Sequence, residues 1–153
     1  MLRRRQSMKR RDAKDLLEEL ERSFGVSGVN KVEEAEFEDK KVYILDDSPD
    51  FVRDANGLYP HLSSEKTSLL PSVVVDMGAI PYVCNGADVM APGIKEMPDA
   101  FEEGAIVVVR DITHRKALAV GKALRSRTDI EASRKGRAIQ NLHYVGDKLW
   151  RLS

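Results

Sequence analysis

Cysteine is almost missing from this 153-residue chain. Cys84 stands alone, so no intrachain disulfide can form and a reducing compartment is predicted. Long apolar runs are absent as well. No stretch reaches the ~20 residues that a bilayer-spanning helix needs, and no apolar signal segment follows the basic N-terminus. A cytoplasmic protein is expected. Cofactor fingerprints are also lacking. There is no GxGxxG, and Val120-Gly121-Lys122-Ala123 lacks the upstream glycine and the Ser/Thr of a phosphate-binding P-loop. His61, His114, His143 and Cys84 do not fall at metal-ligand spacing. Asp46, Asp47 and Asp50 are close enough to suggest a carboxylate cluster, but turn chemistry accounts for them better. These absences predict no catalytic residue, no metal and no cofactor.

What is present is an ordinary globular balance, 42% hydrophobic and 33% charged, in a chain long enough for one domain or two small ones. Net charge is zero, yet its distribution is uneven. Residues 1–12 carry Arg3, Arg4, Arg5, Lys9, Arg10 and Arg11 against Asp12 alone. Residues 30–54 hold nine acids and four bases, whereas eleven bases and four acids lie from Arg110 onward. Such segregation can present a cationic surface to phosphates while the whole stays neutral.

Leu16, Leu17, Leu20 and Phe24 recur at helical spacing, predicting a helix from residue 8 or 12 to 24, capped by Asp12 or Ser7 and ended by Gly25. β-type runs follow at Val32–Phe37, Val42–Leu45 and Phe51–Arg53, with Asn56-Gly57 a tight-turn signal. Residues 1–71 therefore read as a small α+β domain, with Ser63–Pro71 as connector. Beyond it, Val73–Val75, Val89–Ala91 and Ala105–Arg110 read as strands, with a short helix over Met77–Cys84 closed by Asn85-Gly86. An extended segment covers Lys116–Leu124, where Gly121 predicts a bulge. Thr128 and Glu131 have capping-box spacing, predicting a helix over Asp129–Lys135 closed by Gly136. Leu142–Val145 and Lys148–Leu152 flank Gly146-Asp147 as a hairpin would, with Trp150 in its core. Many short strands with two small helices fit a partly closed barrel.

Asp76-Met77-Gly78-Ala79-Ile80, Gly86-Ala87-Asp88, Ala91-Pro92-Gly93, Val120-Gly121 and Leu142-His143-Tyr144 occur in that order between Ser72 and Ser153. This succession resembles the PUA domain, the RNA-binding module of pseudouridine synthases and archaeosine transglycosylases. Residues 57–83, GLYPHLSSEKTSLLPSVVVDMGAIPYV, further resemble the domain junction of the malignant T-cell-amplified-sequence family and its archaeal relatives. The resemblance implies an α+β N-terminal pre-PUA domain over residues 1–71, followed by a mainly-β PUA pseudo-barrel with short helices over residues 72–153. It also implies RNA as partner: the acceptor end of tRNA, or ribosomal RNA. Eukaryotic relatives act on the small ribosomal subunit, with density-regulated protein or within ligatin. No segment of this chain resembles the initiation-factor-like domain of those partners, so such work would recruit that domain from another protein or proceed differently. The ~70 residues outside the PUA unit are too few for a synthase or transglycosylase domain.

Within that frame Gly78, Ala79 and Ile80 open the first short helix, where small side chains would let a phosphate or ribose reach free N–H groups. Gly86, Ala87, Pro92 and Gly93 would shape the adjoining wall of a groove. Tyr82 can stack on a base or pack under the helix, the latter being the safer reading. Arg134, Lys135 and Arg137 are the cationic candidates, with Arg125 and Arg127 before them. His143 reads as a hydrogen-bonded structural histidine. The N-terminal LRRRQSMKRR is a second candidate contact, as an arm that orders on binding. The expected function is noncatalytic RNA binding in translation. Two other readings stay open: an accessory RNA-specificity subunit for a modification enzyme, and a protein-interaction module.

Overall fold

A computed structural model describes residues 1–152, which separate into two units, Met1–Leu69 grouped with Leu152, and Leu70–Arg151. In the first, β1 (Arg3–Ser7) and α1 (Arg10–Phe24) precede β2 (Val32–Phe37), β3 (Lys40–Leu45), β4 (Ser48–Asp54) and β5 (Gly57–Pro60). The strands make one antiparallel sheet in the order β1-β2-β3-β4-β5. The apolar stripe of α1 buries Leu16 and Leu20, which cluster with Val26 and with Tyr43, Leu45, Phe51 and Leu58 of the sheet. Gly25 ends the helix at a left-handed φ of 73°, its N–H donating to the Glu21 carbonyl at 2.9 Å.

The start of α1 differs from expectation. Lys9 holds the N-cap position and no side chain caps there. Ser7 is committed to β1, opposite Glu33, and Asp12 already lies inside the first turn. The basic arm is likewise not loose, because Arg3–Ser7 is an edge strand. It buries nothing apolar. Arg5 forks onto Glu33 of β2, Nε at 3.1 Å and Nη2 at 2.9 Å, and Arg4 lies 3.6 Å from Glu36.

The three aspartates divide. Asp46 and Asp47 make the β3–β4 turn at left-handed φ values of 48° and 70°, and the Asp46 carboxylate accepts from the amides of Asn30 and Lys31. Asp50 is no turn residue: it is buried in β4 and accepts from the hydroxyls of Ser48 and Ser64, both at 2.7 Å, and from Lys66 Nζ at 3.2 Å. These bonds staple much of the expected connector onto β4, with Glu65–Leu69 wound as a 3₁₀ turn.

The second unit runs β6 (Ser72–Val75), α2 (Ile80–Val83), β7 (Val89–Met90), β8 (Ile94–Glu96), β9 (Ile106–Asp111), β10 (Ala117–Ala123), α3 (Arg127–Ala132) and β11 (Arg137–Tyr144). Its strands form a nearly closed, barrel-like sheet in the order β7-β11-β10-β9-β6-β8, antiparallel except for β6 beside β9. Val73, Val75, Val107, Val109, Ala119 and Ile139 fill the interior with Ile130 of α3 and Phe101. At Gly121 the β10–β11 register slips, as a bulge requires. A Cβ there would overlap Ile139 Cγ2 and sit 2.8 Å from the Gln140 carbonyl oxygen, so only glycine lets the two backbones come this close.

Two predicted elements shift. Ser126 caps α3 by accepting from the Asp129 N–H at 3.1 Å, two residues ahead of the expected Thr128. Glu131 is held instead by Arg127 at 3.1 Å, the helix ends at Ser133, and Gly136 belongs to the loop beyond. No hairpin closes the second unit either. β11 is one long strand, and Trp150–Leu152 is a 3₁₀ turn with Trp150 half-buried. Asp147 explains the change by accepting from the amides of Tyr144 at 2.9 Å and Trp150 at 2.7 Å, which curls the chain back. Its Oδ2 also accepts from Nδ1 of fully buried His143 at 2.8 Å.

Burial alone would push the Asp147 carboxyl up, but the hydrogen bonds from His143 and the two amides outweigh it and hold the group below its ordinary value. A depressed folded pKa stabilises above the unfolded value and ceases to do so as pH falls through the folded one. Asp147→Ala should therefore cost about 1–3 kcal/mol at neutral pH, with the difference from the parent shrinking below about pH 4 in urea titrations. Gly121→Ala should cost about 1–3 kcal/mol in the same assay, from the overlap described, and a stability equal to the parent would contradict the close approach.

Candidate nucleic-acid interface

Strand β6 leads into Asp76, whose carboxylate caps the 3₁₀ turn Met77–Ala79 by accepting from the Ala79 N–H at 3.0 Å. Pro81 then starts α2, since its missing N–H is no loss in a first turn. Gly86, at φ 92°, turns the chain toward β7, and Ala91–Gly93 forms another 3₁₀ turn before β8. Between these pieces lies a cleft of about 260 Å³ lined by Asp76, Gly78, Ala79, Tyr82, Val83, Asp88, Val89, Met90 and Gly93. Its walls are mainly apolar. Tyr82 is 69% exposed, Met90 48% and neighbouring Met77 41%, an unusual concentration of apolar surface in water.

Of the uncharged residues expected at the site, Gly78, Ala79, Tyr82 and Gly93 line this cleft. Ile80 packs against the barrel core instead. Gly86 lies under Tyr144, where an added Cβ would come 3.1 Å from Cε1. Ala87 and Pro92 are exposed on the flanking turns. Tyr82 does not pack beneath α2, because the core side of that single turn is already taken by Val83 and Ile80.

Cations meet the cleft along its Met90–Ile94 side. β7 pairs with β11 through Arg137 and Met90, the Gly136 carbonyl accepts from Ala91 N–H at 2.8 Å, and Arg134 Nη1 donates to the Ile94 carbonyl at 3.1 Å. The three candidate cations differ in freedom. Arg137 forks onto Asp88, with Nε at 2.9 Å. Arg134 is fixed by a carbonyl but keeps its charge uncompensated, and exposed Lys135 makes no ion pair among the described residues. Arg127 is matched by Glu131, and Arg125 donates to the Ser133 carbonyl at 3.0 Å, bracing the same loop.

The structure narrows the expected approach of a phosphate to free amides at Gly78–Ala79. The Ala79 N–H is already taken by Asp76, and a carboxylate in that place repels an anion. Asp76, Asp88 and Asn141 were not singled out from the sequence as site residues. Asp76 carried a signal, an aspartate just ahead of a short helix. Asp88 and Asn141 act together: Asp88 Oδ1 accepts from the Asn141 N–H at 2.8 Å, and Asn141 Nδ2 donates to the carbonyls of Val83 and Ala87, both at 3.0 Å. Among the described residues no group of three His, Cys, Asp or Glu could hold a metal ion, and no helix is long and apolar enough to cross a membrane.

Comparison with known proteins matches the PUA domain to residues 71–145 and a domain of unknown function, DUF1947, to residues 4–64. An uncharacterized protein of Methanocaldococcus jannaschii, MJ1432, is 37% identical over 156 residues, 97% of this chain and 96% of that one. Translation machinery-associated protein 20 of Saccharomyces cerevisiae is 33% identical over 81% of this chain and 74% of its own. Malignant T-cell-amplified sequence 2 of Homo sapiens is 40% identical over 55% of this chain and 48% of its own. The solved structure of the hypothetical protein PH0734.1 of Pyrococcus horikoshii superposes with a TM-score of 0.83 at 29% identity, covering 97% of this chain and 98% of that one.

Proposed function

The chain belongs to the PUA-domain family in which a DUF1947 unit precedes the PUA domain, with Translation machinery-associated protein 20 and the malignant T-cell-amplified sequences among its relatives, and from that premise we propose that it is a noncatalytic, cytoplasmic RNA-binding protein acting in translation. The observation that carries this reading is the open apolar cleft with Tyr82 on its rim and the basic segment 134–137 bonded to the Ala91 and Ile94 backbone beside it. A nucleotide has the same division, a flat apolar base and an anionic phosphate. The base enters the cleft and stacks on Tyr82, a contact worth about 1–3 kcal/mol in single-strand binders. The Asp76 carboxylate disfavours phosphate in the cleft and can accept from a base edge. The phosphate stays outside, on Arg134 and Lys135.

The RNA such a cleft suits is one with an unpaired end or loop, since bases inside a duplex are stacked out of reach. The acceptor end of tRNA and unpaired ribosomal RNA both qualify. The name of one relative, Translation machinery-associated protein 20, favours translation as the setting; the partners we propose there are the small ribosomal subunit and an initiation-factor-like protein.

A hairpin RNA with a single-stranded 3′ overhang, compared with the same hairpin blunt-ended, tests the reading. Tyr82→Ala should weaken overhang binding by about 5- to 150-fold, and Lys135→Glu should lower the salt slope by about one. Gly78→Leu should block the cleft without unfolding the chain, because Gly78 has no positive φ and a Cβ added there would meet only Asp76 Oδ1, at 3.3 Å. In lysate gradients the parent should travel with small ribosomal subunits and Gly78→Leu should not. Unchanged overhang affinity in both Tyr82→Ala and Gly78→Leu would remove the cleft as the binding site.

A further inference from the structure

A second charged surface lies in the first unit, and the cleft does not explain it. Of the six basic residues in positions 1–12, two are matched by an ion pair among the described residues, Arg4 by Glu36 and Arg5 by Glu33. Arg3, Lys9, Arg10 and Arg11 are exposed and make no ion pair among the described residues. Three of these four also sit where they oppose the helix they begin. Lys9 is at the N-cap of α1, and Arg10 and Arg11 are its first two residues, with no capping side chain. Acids are favoured at such positions and cations are not, so these side chains do not serve the helix. They do not serve packing either, being exposed to water.

The acidic strip beside them does not cancel their field. Glu33, Glu34 and Glu36 of β2 are answered by Arg5, Lys41 and Arg4, so none of the three is paired with Arg3, Lys9, Arg10 or Arg11. The segment is also ordered already, because β1 is hydrogen-bonded to β2 and Met8 N–H donates to the Val32 carbonyl at 3.3 Å. A partner would therefore meet preformed charges.

We propose that this basic segment, through Arg3, Lys9, Arg10 and Arg11, is a second RNA contact that grips the sugar-phosphate backbone of duplex RNA. From the preceding reading it takes only that the partner is RNA. The unit offers no aromatic platform for unpaired bases: Phe37, Tyr43, Phe51 and Tyr59 are buried and Phe24 is packed against the core. Cations without stacking surface read phosphates, and a duplex presents phosphates while hiding its base faces.

The test uses the full chain and a fully paired, blunt RNA duplex. Arg10→Glu with Arg11→Glu should lower affinity at least about tenfold near physiological salt and reduce the salt slope by about two. The same change should leave the melting temperature equal or higher, because acids suit the first turn of α1. Arg3→Gln with Lys9→Gln, which only neutralises, should also reduce the slope by about two. Unchanged affinity and slope in both variants overturn the proposal. So does tighter binding of the parent to a polyglutamate peptide than to the duplex, with only the peptide binding lost on substitution, since the surface would then be a protein-docking face. The Arg10/Arg11 change should preserve the ratio of overhang to blunt-end affinity, and Tyr82→Ala should preserve duplex affinity, so either site can fail without the other.

Discussion

The Asp88 carboxylate holds the turn after α2 to β11, and the geometry of the cleft depends on that attachment. One oxygen takes the Asn141 amide and the other takes the Arg137 guanidinium, while the Asn141 side chain reaches back to the Val83 and Ala87 carbonyls. The ion pair itself is weak, since the Arg137 side chain is 59% exposed and Asp88 26%, and exposed pairs are worth about 0–1 kcal/mol. The backbone amide matters more, because an unsatisfied buried N–H costs about 1–3 kcal/mol. Position, more than stability, is what this arrangement secures. Arg137 is consumed in it, which leaves the positive charge beside the cleft to Arg134 and Lys135.

Legibility in the sequence followed the range of the interaction responsible. Local signals worked: the leucine spacing of α1 and Gly25 at its end, the bulge at Gly121, and the succession of small-residue motifs from Asp76 to Tyr144. Elements fixed by distant partners did not show. β1 contains no apolar residue, and its strand character rests on Arg4 and Arg5 meeting glutamates about thirty residues away. Asp50 looked like its turn neighbours because nothing local reveals that Ser64 and Lys66 fold over it. Two hydroxyls competed to cap α3, each with an acidic residue three positions on, and the choice of Ser126 left Glu131 to an ion pair with Arg127.

The cleft was legible in part for the same reason. Gly78, Ala79, Tyr82 and Gly93 lie in short motifs and do line it, but the expected chemistry there was anion binding at a helix start. The aspartate that caps this short helix already holds the Ala79 amide. The small residues also leave room between apolar walls, and on the proposed reading that room seats a base.

A net charge of zero sharpens this division. Long-range attraction to a polyanion is strongest for a net positive protein, and here the chain as a whole supplies no such charge, while physiological salt screens each local patch beyond a Debye length of about 8 Å. On the proposed readings, cations such as Lys135 or Arg10 therefore act on phosphates that have already come close. Proximity has to be supplied by shape: a base fitting beside Tyr82, or a backbone running along β1 and the start of α1. On this account discrimination among RNAs resides in the uncharged contacts, whereas charge sets how firmly a correctly placed strand is held. Adding cations elsewhere on the surface would raise affinity for RNA in general and erode that discrimination.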